Sequence, residues 1–298
     1  MRVNTVRMWG GALASLLLIC SMQGWAADAP AERVISVDGS ITEIVYALQQ
    51  QHRLVGRDTT STWPEVAQDL PDVGYMRQLS AEGILSLRPD LILVTADAQP
   101  QSVLDQLQQA RVDIRVIPNA YTLAGVEDKI IQVADALGVR EAGVLLASEV
   151  VERTTDLLAE LQAQSDSPVK AIFVMNAHNS SMMVAGKGSR ADAFMSLAGV
   201  INPFSDVINN FQNVSGEALM QANPDIIITL DEVAIPGSGI ERLLSDPAVR
   251  RTEAGRSGKV VAIEARWLNF GPDLPNSLDS LVSRVKAMRS RGESQGDS

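Results

Sequence analysis

From residue 33 onward, short runs of β-branched and aliphatic residues alternate with stretches whose apolar positions recur every three to four residues. Val34-Ile35-Ser36-Val37 reads as a strand, residues 40–48 as a helix capped by Ser40, and residues 53–56 as a second short strand. Leu91-Ile92-Leu93-Val94 and Ile114-Arg115-Val116-Ile117 are further strands, separated by a helix over 101–110. A helix over 126–137 stops at Gly138. Later in the chain the pattern predicts a strand over 171–175, a helix over 191–197 and a helix over 240–244. It continues with a strand over 259–263 and a closing helix from 276 to about 288, followed by a polar, frayed tail. Strands spaced by helices of this length predict parallel sheets flanked by helices.

One segment occurs twice. Ser80-Ala81-Glu82-Gly83-Ile84-Leu85-Ser86-Leu87-Arg88-Pro89-Asp90-Leu91-Ile92-Leu93 returns 135 residues later as Ser215-Gly216-Glu217-Ala218-Leu219-Met220-Gln221-Ala222-Asn223-Pro224-Asp225-Ile226-Ile227-Ile228. Serine, glutamate, proline, aspartate and the apolar positions fall in register. Each copy predicts a short capped helix, a Pro-Asp stop and a buried strand, and therefore two similar lobes.

Between the lobes, residues 141–164 lack glycine and proline after Gly143, and Leu145, Val150, Val151, Leu157, Leu158 and Leu161 recur at helical spacing. A helix of that length spans roughly 30–36 Å, the width of a small domain. The expected fold class is α/β: two Rossmann-like lobes, each a mainly parallel sheet flanked by helices, joined by one long interdomain helix. The expected boundaries are 1–26 for a signal peptide, 32–140 for the N-terminal lobe, 141–166 for the linking helix and 167–290 for the C-terminal lobe. A ligand belongs in the cleft between the lobes, against the loops at the strand ends.

The N-terminus changes the picture of where this happens. Arg2 and Arg7 precede a short apolar run from Ala12 to Ile19, and Gly24-Trp25-Ala26 supplies small residues at a cleavage site after Ala26. The run is too short for a permanent membrane anchor. Cys20, the single cysteine of the chain, lies inside the signal; a lipoprotein signal wants a small residue where Ile19 stands. The expectation is a periplasmic protein whose signal is removed, leaving neither disulfides nor thiolate ligands. Loss of Arg2 and Arg7 takes the formal charge from −11 to −13, which argues against nucleic acid or an anionic membrane as the main partner.

Catalytic signals are sparse. The chain has no H-E-x-x-H and no P-loop, and a hydrolytic triad would have to use one of the two histidines, His52 or His178. His52 sits in a polar run and reads as a surface residue. His178 follows a strand in the polar stretch Asn176-Ala177-His178-Asn179-Ser180-Ser181; it is either an exposed loop histidine or a metal ligand. Tyr75 lies in Pro71-Asp72-Val73-Gly74-Tyr75-Met76-Arg77, on a loop directly before the first repeat copy. Phenolate is a hard oxygen donor suited to ferric iron, and tyrosine is among the axial ligands of haem proteins. Packing or stacking is the alternative reading. In an extended segment Arg77 lies on the same side as Tyr75, and a nearby cation favours the phenolate. Glu82 and Glu217 sit where a carboxylate favours a helix dipole by about 0.3–1 kcal/mol. That effect does not explain why both lobes present the acid at the same point, an arrangement suited to a two-fold partner with basic pockets.

The paired Ser-x-Glu…Pro-Asp segments, the signal and the long middle helix resemble the periplasmic substrate-binding proteins of ABC importers for ferric siderophores, cobalamin and haem. The resemblance covers essentially the whole chain after the signal. Val73-Gly74-Tyr75-Met76-Arg77-Gln78-Leu79-Ser80-Ala81-Glu82-Gly83-Ile84-Leu85 is similar to the haemin-binding (HmuT-like) branch, as is Met183-Val184-Ala185-Gly186-Lys187-Gly188-Ser189-Arg190-Ala191-Asp192. The chain departs from the family at Gln49-Gln50-Gln51, where glycines are usual. The resemblance implies a monomeric carrier, not an enzyme. It implies haem as transported ligand, Tyr75 on the iron, Arg77 stabilising the phenolate, and His178 as a further haem or iron ligand. Glu82 and Glu217 would contact an ABC permease dimer in the inner membrane. Loop position alone also offers Met76, Met182, Met183, Arg266, Trp267 and Phe270 as pocket lining. The rival readings are a ferric siderophore or cobalamin carrier of the same fold and, more distantly, a secreted hydrolase using His178.

Overall fold

The computed structural model describes residues 31–163, 168–178, 181–231 and 239–296. The side chains of 177, 178, 181 and 290–296 lie outside that description, as does the expected signal peptide. Two sheets carry the fold. The first has four parallel strands in the order β2-β1-β3-β4: β1 (Val34–Val37), β2 (Leu54–Arg57), β3 (Leu91–Thr95) and β4 (Asp113–Ile117). The second has the order β7-β6-β5-β8-β9: β5 (Ala171–His178), β6 (Ser181–Ala185), β7 (Phe211–Val214), β8 (Ile226–Leu230) and β9 (Val260–Ile263). Its β5-β8-β9 part is parallel, whereas β6 and β7 add two antiparallel strands. The second sheet is therefore mixed, because the residues expected to form a polar loop after β5 turn back as a hairpin.

The strands read as continuous apolar runs because both faces of each sheet are covered. Along β3, Leu91 and Leu93 face one buried cluster while Ile92 and Val94 face another. Along β5, Ala171 and Phe173 face the first of these clusters and Ile172 and Val174 a third. The first cluster is common to both lobes, so one apolar core runs from Val34 and Leu93 through Val150 to Phe173 and Phe194. The chain from Ala31 onward forms a single compact unit around it.

Helix α1 (Gly39–Ala47) is capped by Asp38, not Ser40: the Asp38 carboxylate accepts from the Ser40 N–H. In the first lobe α2 (Ala81–Ser86), α3 (Gln101–Gln109) and α4 (Leu123–Ala136) follow, and α5 (Arg140–Ala163) is the long helix. At 24 residues it extends about 36 Å. It crosses α4 so closely at Gly143 that a Cβ there would lie 2.2 Å from the Ala134 Cβ. The second lobe contains α6 (Arg190–Leu197), α7 (Gly216–Ala222), α8 (Ile240–Ser245), α9 (Glu253–Arg256) and α10 (Leu274–Gly296). Helix α10 packs on α5 and β9 and continues past the expected end near 288, so the tail expected to fray has helical backbone.

The repeat is a structural unit in both lobes. Ser80 accepts from the Gly83 N–H and Ser215 from the Ala218 N–H, capping α2 and α7. Arg88 and Asn223, equivalent in the repeat, both leave the helix through positive φ, at 48° and 40°. Asp90 then accepts from the backbone N–H groups of Glu32 and Arg33, and Asp225 from that of Lys170, tying each repeat strand to the start of its lobe's first strand. The Arg33 side chain donates to the carbonyls of Arg88 and Leu87, and that of Lys170 to the carbonyl of Asn223. Arg33 and Lys170 thus close the free carbonyl ends of α2 and α7, a role that their positions outside the repeat conceal in the sequence.

Candidate ligand cleft and docking surfaces

Within each sheet the parallel strands end on one side, and the loops there supply the candidate site. After β2 the chain runs through residues 58–80, braced by Asp72. That carboxylate accepts from the Gly74 N–H at 2.8 Å and the Thr59 hydroxyl at 3.1 Å, and pairs with Arg57 at 3.0 Å. Gly74 adopts φ 98°, a conformation that disfavours other residues, and its carbonyl accepts from the Thr59 N–H. On the far side of Tyr75, Met76 is buried and its carbonyl accepts from the Gln99 N–H. Tyr75 is held between these two anchors with its side chain 41% exposed, and its hydroxyl has no hydrogen-bond partner among the described residues.

Beyond Tyr75 the segment turns, since the Gln78 N–H donates to the Tyr75 carbonyl at 2.7 Å. The extended backbone expected between Tyr75 and Arg77 is therefore not formed. Arg77 is exposed and makes no hydrogen bond or ion pair among the described residues. His178 ends β5 opposite Ser181 instead of lying in a loop, and its side chain is outside the described residues. His52 is exposed in a 3-10 turn. Of the residues offered as pocket lining, Met76, Met182, Trp267 and Phe270 are at most 4% exposed and belong to the core; Met183 and Arg266 keep some exposure. Loop position alone did not separate cleft residues from core residues, because the loops fold back onto the sheets.

The two lobes meet through polar groups. The Arg266 guanidinium, from the second lobe, stacks 4.1 Å above the ring of Trp63 in the first and pairs with Glu264 and Asp273. The Asp273 N–H donates to the carboxylate of Glu43 on α1. Burial, reinforced by the charge of Asp273, pushes the Glu43 carboxyl up to about 7 against the opposing effect of its hydrogen bonds. Lys129, fully buried on α4, donates to Ser40 Oγ at 3.1 Å, Asn119 Oδ1 at 2.6 Å and the Phe270 carbonyl at 3.3 Å. Burial lowers its pKa to about 8. The sequence held a signal for this lysine: it falls in the stripe Val126, Ile130, Val133, Ala134, Leu137 that α4 turns inward.

On the outer surface Glu82 and Glu217 occupy the first turns of α2 and α7, exposed, and neither forms an ion pair among the described residues. Two equivalent helix starts in two equivalent lobes each leave one carboxylate unsatisfied. No group of three or more metal-ligating side chains occurs among the described residues.

The sequence profile of the periplasmic binding protein family matches residues 34–266. The chain belongs to this family. Among solved structures it is similar to BhuT, a periplasmic haem-binding protein in complex with two haems, at 36% identity and TM-score 0.81, covering 86% of this chain and 98% of that one. It is also similar to the periplasmic haem-binding protein RhuT from Roseiflexus sp. RS-1 in apo form, at 32% identity and TM-score 0.82, covering 87% and 99%. Among curated relatives, the vitamin B12-binding protein of Vibrio cholerae is 28% identical over 252 residues, 85% of this chain and 87% of its own length. The ABC transporter substrate-binding lipoprotein YvrC of Bacillus subtilis is 25% identical over 204 residues, 68% of this chain; the chain spans 64% of its length. The two-lobed α/β fold is that of a periplasmic substrate-binding protein of the haem, siderophore and cobalamin group. Such proteins serve transport and are not enzymes.

Proposed function

We propose that this protein binds ferric haem in its cleft, through the phenolate oxygen of Tyr75, and carries it through the periplasm to an ABC importer. The observation that carries the reading is the unpartnered, part-exposed phenol of Tyr75, fixed by anchors at Gly74 and Met76 on a strand-end loop. A surface tyrosine kept for packing has no need of a loop braced on both sides. The haem-binding proteins similar over nearly the whole chain support the same ligand. Arg77 is assigned to the phenolate on the family resemblance alone, because the turn over residues 75–78 removes the same-side argument, and His178 is a second candidate ligand. Glu82 and Glu217 are the contacts for basic pockets on the permease subunits, and the carrier acts as a monomer.

Adding haemin to the purified protein and recording the visible spectrum tests the ligand. The expected result is the charge-transfer absorption of a phenolate-bound ferric haem, abolished in Tyr75→Ala and Tyr75→Phe. A wild-type spectrum and affinity in both variants removes Tyr75 from the mechanism. The similarity to vitamin B12-binding proteins favours cobalamin as the second reading. Tight binding of cyanocobalamin that haemin fails to displace would establish it.

A further inference from the structure

The lobes are joined by more than α5. The segment from Asn269 to Asp273, which leads from β9 into α10, is seated in the first lobe. Gly39 lies so close to it that a Cβ would stand 2.8 Å from Asn269 Nδ2, and a Cβ at Gly271 would meet the Glu43 carboxyl at 2.9 Å. Phe270 adopts φ 54° and is 1% exposed. Its ring lies 5.3 Å from that of Tyr121 in the first lobe and 6.4 Å from that of Phe194 in the second, and its carbonyl accepts from Lys129. Beside this plug, Arg190, the first residue of α6 in the second lobe, reaches the first lobe. Its Nη2 is 3.6 Å from Asp38 Oδ2 and 3.9 Å from Asp97 Oδ2, and its guanidinium sits 5.5 Å over the Tyr121 ring. The Tyr121 hydroxyl donates to the same Asp97 oxygen at 2.9 Å.

These contacts have unequal strength. Asp38 is 1% exposed and already accepts from Ser40 N and Oγ, so its position is set by the first lobe. Asp97 is about a third exposed and stands after β3, at the strand ends that form the cleft. Arg190 is the one cation that approaches both carboxylates from the opposite lobe among the described residues. Its pairs are longer than the 2.7–2.9 Å of a tight charged hydrogen bond, so they hold the lobes by charge, not by a fixed fork geometry. A contact of that kind is strong enough to hold an orientation and weak enough to yield.

We propose that Arg190 is a positioning residue that latches the second lobe to Asp38 and Asp97 of the first and so fixes the width of the cleft when no ligand is bound. The Asn269–Phe270–Asp273 plug is the pivot and the arginine is the catch. Helix α5 alone leaves the lobes a bending freedom; the latch removes it at the cleft side. Parting the two carboxylates from the arginine is then the step that widens the cleft for release. That last consequence rests on the haem reading, whereas the latch itself does not.

Spin labels at Ser102→Cys on α3 and Glu241→Cys on α8, in a Cys20→Ser background, report the inter-lobe distance without any ligand. The expected result is a narrow distribution in the parent, a broadened or lengthened one in Arg190→Ala, and a narrow one restored in Arg190→Lys. An unchanged distribution in Arg190→Ala overturns the latch. Asp97→Asn, which removes only the part-exposed carboxylate, carries the same test should Arg190→Ala not fold: broadening supports the latch and no change refutes it. Haem dissociation from the Ala variant is expected to quicken roughly fivefold, the scale of a partly exposed ion pair, with the Tyr75 absorption retained. A protein that binds no haem but shows the distance change overturns the haem reading and leaves the latch standing.

Discussion

Glu43 concentrates the electrostatic tension of the joint between the lobes. It is 6% exposed and has Asp273 of the second lobe and Lys129 of the first as its charged neighbours. Its carboxyl is raised from 4.5 to about 7, with burial the leading cause. The folded state therefore keeps a proton that the unfolded chain releases between those two values. Stability contributed by this group is full below pH 4.5, falls as pH rises through the window, and is lost above about 7. Glu43→Gln removes the ionisation while keeping an acceptor for the Asp273 N–H. Urea unfolding at pH 5 and pH 8 is expected to show the variant gaining on the order of 2–3 kcal/mol relative to the parent at the higher pH only. Equal differences at both values would assign the tension to another group. Lys129 shifts the opposite way, from 10.5 to about 8, so its own effect appears above pH 8 and leaves this window clear. The loop position of Tyr75 was legible in the sequence because glycine and proline bracket it. Glu43 and Arg190 were not, since their partners stand in the opposite lobe, those of Glu43 in a segment more than 200 residues on; Lys129 showed only as a charge in the inward stripe of α4.

At the level of elements, the duplicated segment determines more than a helix and a strand. Asp90 and Asp225 each pin the entry to the lobe's first strand at 2.9–3.0 Å, which fixes the neighbour relation of β1 with β3 and of β5 with β8. Asp90→Ala and Asp225→Ala are each expected to cost about 1–2 kcal/mol in equilibrium unfolding, the scale of losing a carboxylate acceptor that is partly solvated. The Asn variants are expected to recover part of the loss. A cost in one lobe only would mean that the repeat is not a symmetric structural device. The parallel strands were readable because burial on both faces leaves unbroken runs such as Ile226-Ile227-Ile228. Strands β6 and β7 were not. Phe211-Gln212-Asn213-Val214 is the polar edge of the sheet, exposed at its two central residues, and the two methionines of β6 carry little strand preference. Helix α5 was readable from the sequence pattern, because a run of apolar spacing with no glycine or proline after Gly143 has few other outcomes.

On the scale of the whole molecule, the shared core, α5, the plug at Phe270 and the closed Arg190 latch together make the two lobes one body that presents Glu82 and Glu217 at a fixed spacing. In the proposed docking the contact is bivalent: once one carboxylate has engaged, the second meets its pocket at a high effective concentration. Loss of either therefore costs more than half of the coupling. Glu82→Arg and Glu217→Arg are each expected to reduce haem uptake by about tenfold or more while leaving haem affinity and its spectrum unchanged. The double variant is expected to add little to either single one, because a carrier anchored at one point already fails to dock productively. The carboxylates are exposed and unpaired, so raised salt is expected to weaken docking of the parent steeply and that of the variants much less. Unchanged uptake in both single variants would mean that the duplicated glutamates serve only their helix dipoles. Additive losses would mean two independent contacts and no rigid frame between them.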